Sequence, residues 1–203
     1  DIGPWRGRSF NAPRLGLHAY DAGSGGITVG SYGLDLTGTS EGHHFVWQQI
    51  GGPFLLEAKV TQQVDAAALS AKALLMVRKD LTFGSVLLAP ARMATGQYGC
   101  KGRLTPGGNI TDLLSPAWQG PVTNPCRLRI KRQGDTFTCQ VMSEGGAWET
   151  FYTFTDSGGV FGSKVYAGFA VTSPTATTPQ WLQTATFSDI RFTPLYGTVM
   201  MLH

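Results

Sequence analysis

The fold class is decided by the stretch from Arg127 to Val141, which carries the letters RLRIKRQGDTFTCQV. In its first half, Leu128 and Ile130 alternate with arginine and lysine, which is the period-two pattern of a strand with one buried face. The letters QGD then interrupt the pattern with turn-forming residues, and a strand-like pattern resumes in TFTCQV. The stretch therefore predicts a β-hairpin that turns one face towards an apolar core.

Strand-like runs rich in Val, Phe, Thr, Tyr and Trp recur along the chain between clusters of Gly, Pro, Asp and Ser. Many short strands joined by turns predict an all-β sandwich or barrel over residues 1–195, followed by a C-terminal tail at 196–203. The segment Asp65–Ala71 predicts a single helical turn, with a crossing loop as an equal alternative. The predicted strands are Gly26–Val29, His44–Ile50, Phe54–Val60, Lys72–Val77, Ser85–Ala89, Leu128–Arg132, Thr136–Val141, Glu149–Phe154, Lys164–Val171 and Thr184–Phe192.

Composition and charge argue against several classes of protein. Charged residues make up 14% of the chain, against roughly 25% in an average soluble domain. The net charge of +3 gives no electrostatic basis for binding nucleic acid or anionic lipid. No apolar run approaches the ~20 residues of a membrane span, so none is expected. The chain begins at Asp1 without a signal segment, and we interpret it as a mature or excised piece of a longer product.

The three cysteines, Cys100, Cys126 and Cys139, leave at least one thiol unpaired. Cys100 and Cys126 flank a long loop, and a disulfide between them would close its base. Cys139 would then be buried and free. One bridge with one free thiol fits an exported protein, whereas three buried thiols fit a cytoplasmic one.

Several segments spread over residues 1–192 carry a family resemblance when they are taken in order. They are DIG at 1–3, GLDLTGTSE at 33–41, FVWQ at 45–48, AKALLMVR at 71–78, RQGDTF at 132–137, SEG at 143–145 with Trp148, VYAGFAVTS at 165–173 and ATFSDI at 185–190. Together they resemble the DUF1349-type, concanavalin A-like family of bacterial modules, which are relatives of laminin-G-like jelly rolls. The resemblance implies a two-sheet antiparallel jelly-roll sandwich with one partly polar concave face. It also implies an exported module attached to larger carbohydrate-active or surface proteins.

The predicted strand at Lys72–Arg78 separates two kinds of side chain by its alternation. The small apolar residues at 73, 75 and 77 suit the core between two sheets. Lys72, Met76 and Arg78 lie on the other face, together with residue 74. Because an unpaired buried Lys or Arg is too costly, we expect this face to meet water or a ligand. The family resemblance makes it the concave face.

Trp47, on another predicted strand, would share this face if the register allows. An aromatic plate beside Arg and Lys donors suits a sugar, because the C–H face of a pyranose stacks on a ring while donors bind its hydroxyls. Arg78 would then contribute hydrogen bonds that Lys cannot copy. The alternative is that Trp47 is a core residue and the charges form a solvated face.

A second candidate for ligand contact is Trp118, which lies in the long, turn-rich segment Leu104–Pro125. Loops of this length in a compact domain are usually functional or loosely ordered. Trp118 is therefore either an anchor that holds the loop on the body of the domain or a platform for a ligand.

A structural calcium ion is a further expectation. Asp35 and Glu41 bracket a short turn and supply the hard oxygen donors that Ca²⁺ prefers. The alternative is a plain turn that is stabilised by its side chains. We expect no other cofactor.

Two other patterns predict little chemistry. Glu144 and Glu149 have a spacing found among glycosidase carboxylates, but the glycines between them predict a turn that places them on opposite sides of a bend. His43 and His44 are adjacent on a predicted strand, so they point to opposite faces and cannot easily share one metal ion.

These observations, with the resemblance, predict a non-catalytic, lectin-like carbohydrate-binding module of a secreted, cell-surface or periplasmic protein. Its expected partners are a glycan or polysaccharide and further domains of a larger chain. The alternatives are a laminin-G-like domain for protein interaction or adhesion and a glycoside hydrolase on the same fold.

Overall fold

The protein is described by a computed structural model over residues 5–10, 15–32, 35–63, 69–173 and 182–195. Within these ranges the chain forms strands and turns, and no helix. The strands are β1 (Arg6–Phe10), β2 (Leu17–Asp21), β3 (Gly26–Ser31), β4 (Leu36–Thr37), β5 (Ser40–Glu41), β6 (His43–Gly51), β7 (Phe54–Gln62), β8 (Lys72–Arg78), β9 (Leu87–Met93), β10 (Tyr98–Arg103), β11 (Thr111–Asp112), β12 (Trp118–Gln119), β13 (Cys126–Gln133), β14 (Thr136–Ser143), β15 (Glu149–Thr155), β16 (Lys164–Thr172) and β17 (Gln183–Pro194).

Two large antiparallel sheets form the sandwich. The eight-stranded sheet has the order β1-β6-β16-β8-β9-β10-β11, with β12 also paired to β10. The seven-stranded sheet has the order β15-β14-β13-β7-β17-β3-β2, and β4 and β5 form a separate short hairpin. The predicted all-β, two-sheet antiparallel jelly-roll architecture is therefore confirmed.

The core between the sheets follows the predicted alternation. Leu128 and Ile130 of β13 are fully buried there, and so are the residues at 73, 75 and 77 of β8. The hairpin that joins β13 to β14 turns at Gly134 and Asp135, and Gly134 has the positive φ of 57° for which glycine is suited.

All of the predicted strands are present, but the sequence patterns missed several others. Strand β10 carries the letters YGCKGR, and its two glycines and two charges conceal the alternation. Strands β4, β5, β11 and β12 have only two residues each, which is too short for a pattern. Of the predicted helical turn at Asp65–Ala71, residues 65–68 lie outside the described residues, as does the tail 196–203; residues 69 and 70 form a turn.

No helix in the described part of the chain is long and apolar enough to cross a membrane.

Candidate functional site

The outer face of the eight-stranded sheet carries a second apolar cluster, which is covered. Leu36, from the β4–β5 hairpin, packs in this cluster with Leu74 and Met76 of β8. Gly38 of the same hairpin exchanges two backbone hydrogen bonds with Ile110, at 2.9 and 2.7 Å. We call this region, which comprises the outward side chains of β8 and β9 beneath the hairpin, the covered half of the face.

Arg78 lies in the covered half and is fully buried, so the predicted exposure to water or ligand is wrong. Its guanidinium Nη2 is 2.8 Å from Oε2 of Glu41 and donates a hydrogen bond to the carbonyl of Thr82. Arg103 contacts the other oxygen of Glu41 and donates to the carbonyl of Gly108. Burial lowers the pKa of Arg78, and the carboxylate of Glu41 opposes this effect. A buried arginine is tolerated here because the hairpin supplies its counter-charge.

Lys72 is also buried, at 3% exposure, and a carboxylate likewise supplies its counter-charge. Its Nζ lies 2.7 and 2.8 Å from the two carboxylate oxygens of Asp35 and 3.0 Å from the carbonyl of Ser70. Burial lowers the pKa of Lys72, whereas Asp35 raises it. Met76 is fully buried as well. The expectation that Lys72 and Met76 line an open face is therefore wrong.

The same contacts bear on the predicted calcium site. Asp35 and Glu41 are paired with the buried cations Lys72, Arg78 and Arg103, and the backbone N–H of Gly84 also donates to Glu41. Both carboxylates therefore neutralise protein charges, and the calcium prediction loses the free oxygen donors on which it rested.

Trp118 is half-buried and packs against the same cluster. Strand β12 pairs Trp118 with Gly99, and a Cβ at Gly99 would lie only 2.9 Å from the indole. The ammonium groups of Lys72 and Lys101 lie 5.5 and 5.9 Å from the ring centroid, within the range of cation–π attraction. These contacts give Trp118 the role of an anchor for the segment Leu104–Pro125.

The part of this face on β1, β6 and β16 is more accessible, and we call it the open half. Trp47 and Tyr166 are half-buried there, with ring centroids 4.9 Å apart and planes at 86°. Arg6 is paired with Trp47 in the sheet register, Gln49 is paired with Tyr166, and both polar residues are exposed. Sequence analysis missed Arg6, Gln49 and Tyr166, because register across three strands is not visible in any one of them.

The indole of Trp47 turns its polar atom inward. Its Nε1 is inaccessible to solvent and has no hydrogen-bond partner among the described residues. The part of the indole that reaches the surface is therefore carbon.

The two carboxylates considered for glycosidase chemistry have separate partners. Glu144 forms an ion pair with Lys59 at 3.1 Å, and Glu149 accepts a hydrogen bond of 2.7 Å from the hydroxyl of Tyr98. Burial, together with this hydrogen bond, raises the pKa of Tyr98 to about 12. Tyr98 and Glu149 line an open cleft of about 550 Å³ beside Gln119, and Glu144 lies outside this cleft.

The three cysteines are free and buried, so the predicted disulfide between Cys100 and Cys126 is wrong. Cys100 belongs to β10 of one sheet and Cys126 to β13 of the other. The neighbour of Cys100 across the core is Cys139, and burial, together with a hydrogen bond from the Cys100 thiol to Cys139, raises the pKa of Cys100 well above its usual value.

No protein-family model matches the chain, and no curated protein matches it in sequence. The specific resemblance to DUF1349-type modules therefore remains a prediction.

Solved structures show the fold. The chain is similar to a functionally unknown protein from Saccharomyces cerevisiae, at 17% identity over 94% of this chain and 97% of that one, with a TM-score of 0.67. It is similar to a xylan β-1,4-xylosidase from Bacillus halodurans, at 16% identity over 93% of this chain and 39% of the enzyme, with a TM-score of 0.58. It is also similar to lectin I-B4 from Griffonia simplicifolia, at 10% identity over 93% and 92% of the two chains, with a TM-score of 0.55. The chain has a concanavalin A-like jelly-roll fold, which it shares with lectins and glycoside hydrolases.

Proposed function

We propose that this protein is a non-catalytic, lectin-like carbohydrate-binding module that binds glycan on the open half of the eight-stranded sheet. The observation that carries the proposal is the half-buried aromatic pair of Trp47 and Tyr166 beside the exposed polar side chains of Arg6 and Gln49. This revises the predicted ligand set, since Trp47 is retained while Lys72, Met76 and Arg78 serve the covered half. Trp118 acts as an anchor in this proposal.

The chemistry of the open half suits a pyranose ring. Carbon surface on the indole of Trp47 would pack against the apolar C–H face of the sugar. The guanidinium of Arg6 and the amide of Gln49 would bind sugar hydroxyls, and Gln49 both donates and accepts hydrogen bonds. Neither side chain has to be withdrawn from a protein ion pair, because no salt bridge involves Arg6 or Gln49 among the described residues.

Two further observations support a binding module rather than an enzyme. Glu144 and Glu149 are held by different partners on different parts of the surface, whereas glycoside hydrolysis needs two carboxyls that face one substrate. The chain also corresponds to only 39% of the xylosidase, which is the relation expected of one module in a larger protein. We therefore propose that the natural partners include other domains of a longer chain. The three free, buried thiols fit a cytoplasmic protein better than the expected exported one.

Glycan-array binding followed by calorimetric titration with the best glycan tests the proposal. Trp47→Ala should weaken binding roughly 10- to 100-fold, because an aromatic anchor in an interface contributes on the order of 1–3 kcal/mol. Tyr166→Ala should weaken it less, since Tyr166 supports the indole edge-on.

Trp148→Ala is the matched control. Trp148 is also half-buried, but it packs on Arg129 of the seven-stranded sheet, with the guanidinium carbon 3.7 Å from the ring centroid. Its replacement should leave binding unchanged. If Glu149→Gln abolishes binding while Trp47→Ala does not, the glycan site lies in the Tyr98 cleft, and the assignment to the open half is wrong. If no glycan binds, the protein-interaction alternative is favoured.

A further inference from the structure

Two histidines that are far apart in sequence meet at one lateral margin of the sandwich. Nδ1 of His18 lies 3.1 Å from Nε2 of His44, and the two ring centroids are 5.3 Å apart. His18 is exposed on β2, the edge strand of the seven-stranded sheet. His44 is buried on β6, next to β1 at the edge of the eight-stranded sheet. The pair therefore lies where two sheet edges come together, away from the outward side chains of the open half.

The two rings lie close to the backbone of β1 because residue 7 is glycine. A Cβ at Gly7 would lie 2.5 Å from Nδ1 of His18 and 3.1 Å from Nε2 of His44. Gly16 makes room for the second ring in the same way, since a Cβ there would lie 2.4 Å from the Cβ of His44. The two glycines thus allow both imidazoles to lie against the neighbouring backbone, and a side chain at either position would displace a ring.

Ser9 fixes the orientation of the buried ring. Its Oγ is 2.9 Å from Nδ1 of His44 and accepts a hydrogen bond of 2.7 Å from the backbone N–H of Gly16. If Nδ1–H of His44 donates to Ser9, the lone pair of Nε2 points towards His18. Ser9 is engaged by two protein groups, which suits a positioning residue better than a nucleophile.

We propose that His18 and His44 bind a divalent first-row transition-metal ion, with Ser9 as a positioning residue. Two metal–nitrogen bonds of about 2.05 Å that meet at about 100° span about 3.1 Å. That span equals the separation of the two imidazole nitrogens. Imidazole is a good ligand for Ni²⁺, Cu²⁺ and Zn²⁺, with Cu²⁺ bound most strongly of the three. This site goes beyond the proposed function and does not depend on it.

Metal binding replaces the hydrogen bond between the two imidazoles with two metal–nitrogen bonds. The number of protons on the two rings does not change. In the metal-free protein, one of the two nitrogens donates a hydrogen bond to the other. With the ion bound, His18 carries its proton on Nε2 and its Nδ1 lone pair contacts the metal, while His44 keeps its proton towards Ser9. No third His, Cys, Asp or Glu joins the pair within the described residues, so water completes the coordination shell.

Calorimetric titration of the chain with Cu²⁺, and separately with Ni²⁺, tests the site. The wild-type chain should bind one ion per chain at this pair, and Cu²⁺ should bind more tightly than Ni²⁺. His18→Ala should abolish this binding event. Ser9→Ala should weaken it about 10- to 100-fold, as expected for a group that orients a metal ligand.

Gly7→Ala is the most specific variant, because it keeps both histidines but its methyl group would push the ring of His18 away from Nε2 of His44. It should also abolish the binding event. His203→Ala is the matched control for adventitious binding and should change nothing.

The proposal is overturned if the wild-type chain binds no ion in a one-to-one complex, or if both His18→Ala and Gly7→Ala retain it. It is also overturned if His203→Ala alone removes it. Should Gly7→Ala fail to fold, His18→Ala decides the matter, because His18 is exposed and its replacement opens no core cavity.

Discussion

The covered and open halves of one sheet face contain cationic and aromatic side chains in different surroundings. In the covered half, Arg78 and Lys72 are buried and paired with Glu41 and Asp35, which the β4–β5 region supplies. In the open half, Arg6 is exposed beside the half-buried Trp47. The comparison shows that alternation along a strand determines which face a residue lies on, whereas the segment above that face determines whether the residue meets water.

The largest loss of stability should come from breaking the buried ion pairs of Glu41 with Arg78 and Arg103. Glu41→Gln leaves Arg78 and Arg103 buried without a counter-charge, which should lower the free energy of unfolding by about 3–5 kcal/mol. Urea denaturation measures the loss, and Arg6→Ala is the control from the open half. If both variants lower the free energy of unfolding by similarly small amounts, the ion pairs do not stabilise the covered half.

A smaller effect with a distinct pH dependence should follow from Asp35→Asn. Lys72 would lose its partner, which should cost about 1–2 kcal/mol near neutral pH. Burial holds the folded-state pKa of Lys72 below its ordinary value of 10.5, and Asp35 no longer raises it in the variant. The unfolded chain then binds this proton more tightly than the folded chain does, so the stability of the variant relative to wild type should recover as pH rises towards 10.5.

Urea denaturation of Asp35→Asn and wild type at pH 7 and pH 9.5 tests whether the stability deficit of the variant shrinks as the pH rises. The deficit of Glu41→Gln should stay constant over the same range, because arginine side chains are not deprotonated in proteins. A deficit of Asp35→Asn that grows with pH would contradict the assignment of Lys72 as a buried, partnered cation.

Trp118→Leu, on the β10 side of the covered half, should lower stability less. The substitution keeps an apolar side chain over Gly99 but removes the ring near the ammonium groups of Lys72 and Lys101. A loss of about 0.5–1 kcal/mol in the free energy of unfolding is expected, with glycan affinity unchanged. If Trp118→Leu is as stable as wild type but no longer binds glycan, Trp118 contacts the ligand and is not merely an anchor.

The smallest effect on stability should be that of Arg6→Ala. Arg6 is exposed on an edge strand, so the thermal midpoint should not change measurably. Glycan affinity should fall several-fold, because a charged donor to a sugar hydroxyl is lost. The opposite pattern, a lower thermal midpoint with intact affinity, would make Arg6 a structural residue.

The sequence predicted features that depend on local pattern and missed those that depend on distant contacts. The alternation of Leu128 and Ile130 in β13 is local, and so are the turn at Gly134 and the division of β8 into two faces. The contact between Glu41 and Arg78 joins residues from separate elements, and no pattern in either segment marks it. The carboxylates at 35 and 41 were noted as oxygen donors beside a turn, but their contacts with Lys72, Arg78 and Arg103 of other strands were not visible in that segment.

The same distinction holds for the sulfur and imidazole groups. Cys100 has Cys139 as its neighbour because β10 and β14 face each other across the core, which spacing along the chain does not show. His18 and His44 are 26 residues apart and lie in different sheets. The sequence does show a glycine at position 7. This glycine of the edge strand β1 allows the side chains of His18 and His44 to lie close to the backbone.

The central claim, that glycan binds on the open half, is tested most directly by following the indole N–H signals in a ¹⁵N NMR titration. The chain has five tryptophans, and Trp47→Phe assigns the signal of Trp47. Adding the glycan selected on the array should shift the Trp47 signal in proportion to saturation and leave the Trp148 signal in place. A shift confined to Trp118 or Trp148, with the Trp47 signal unmoved at saturation, would contradict the account.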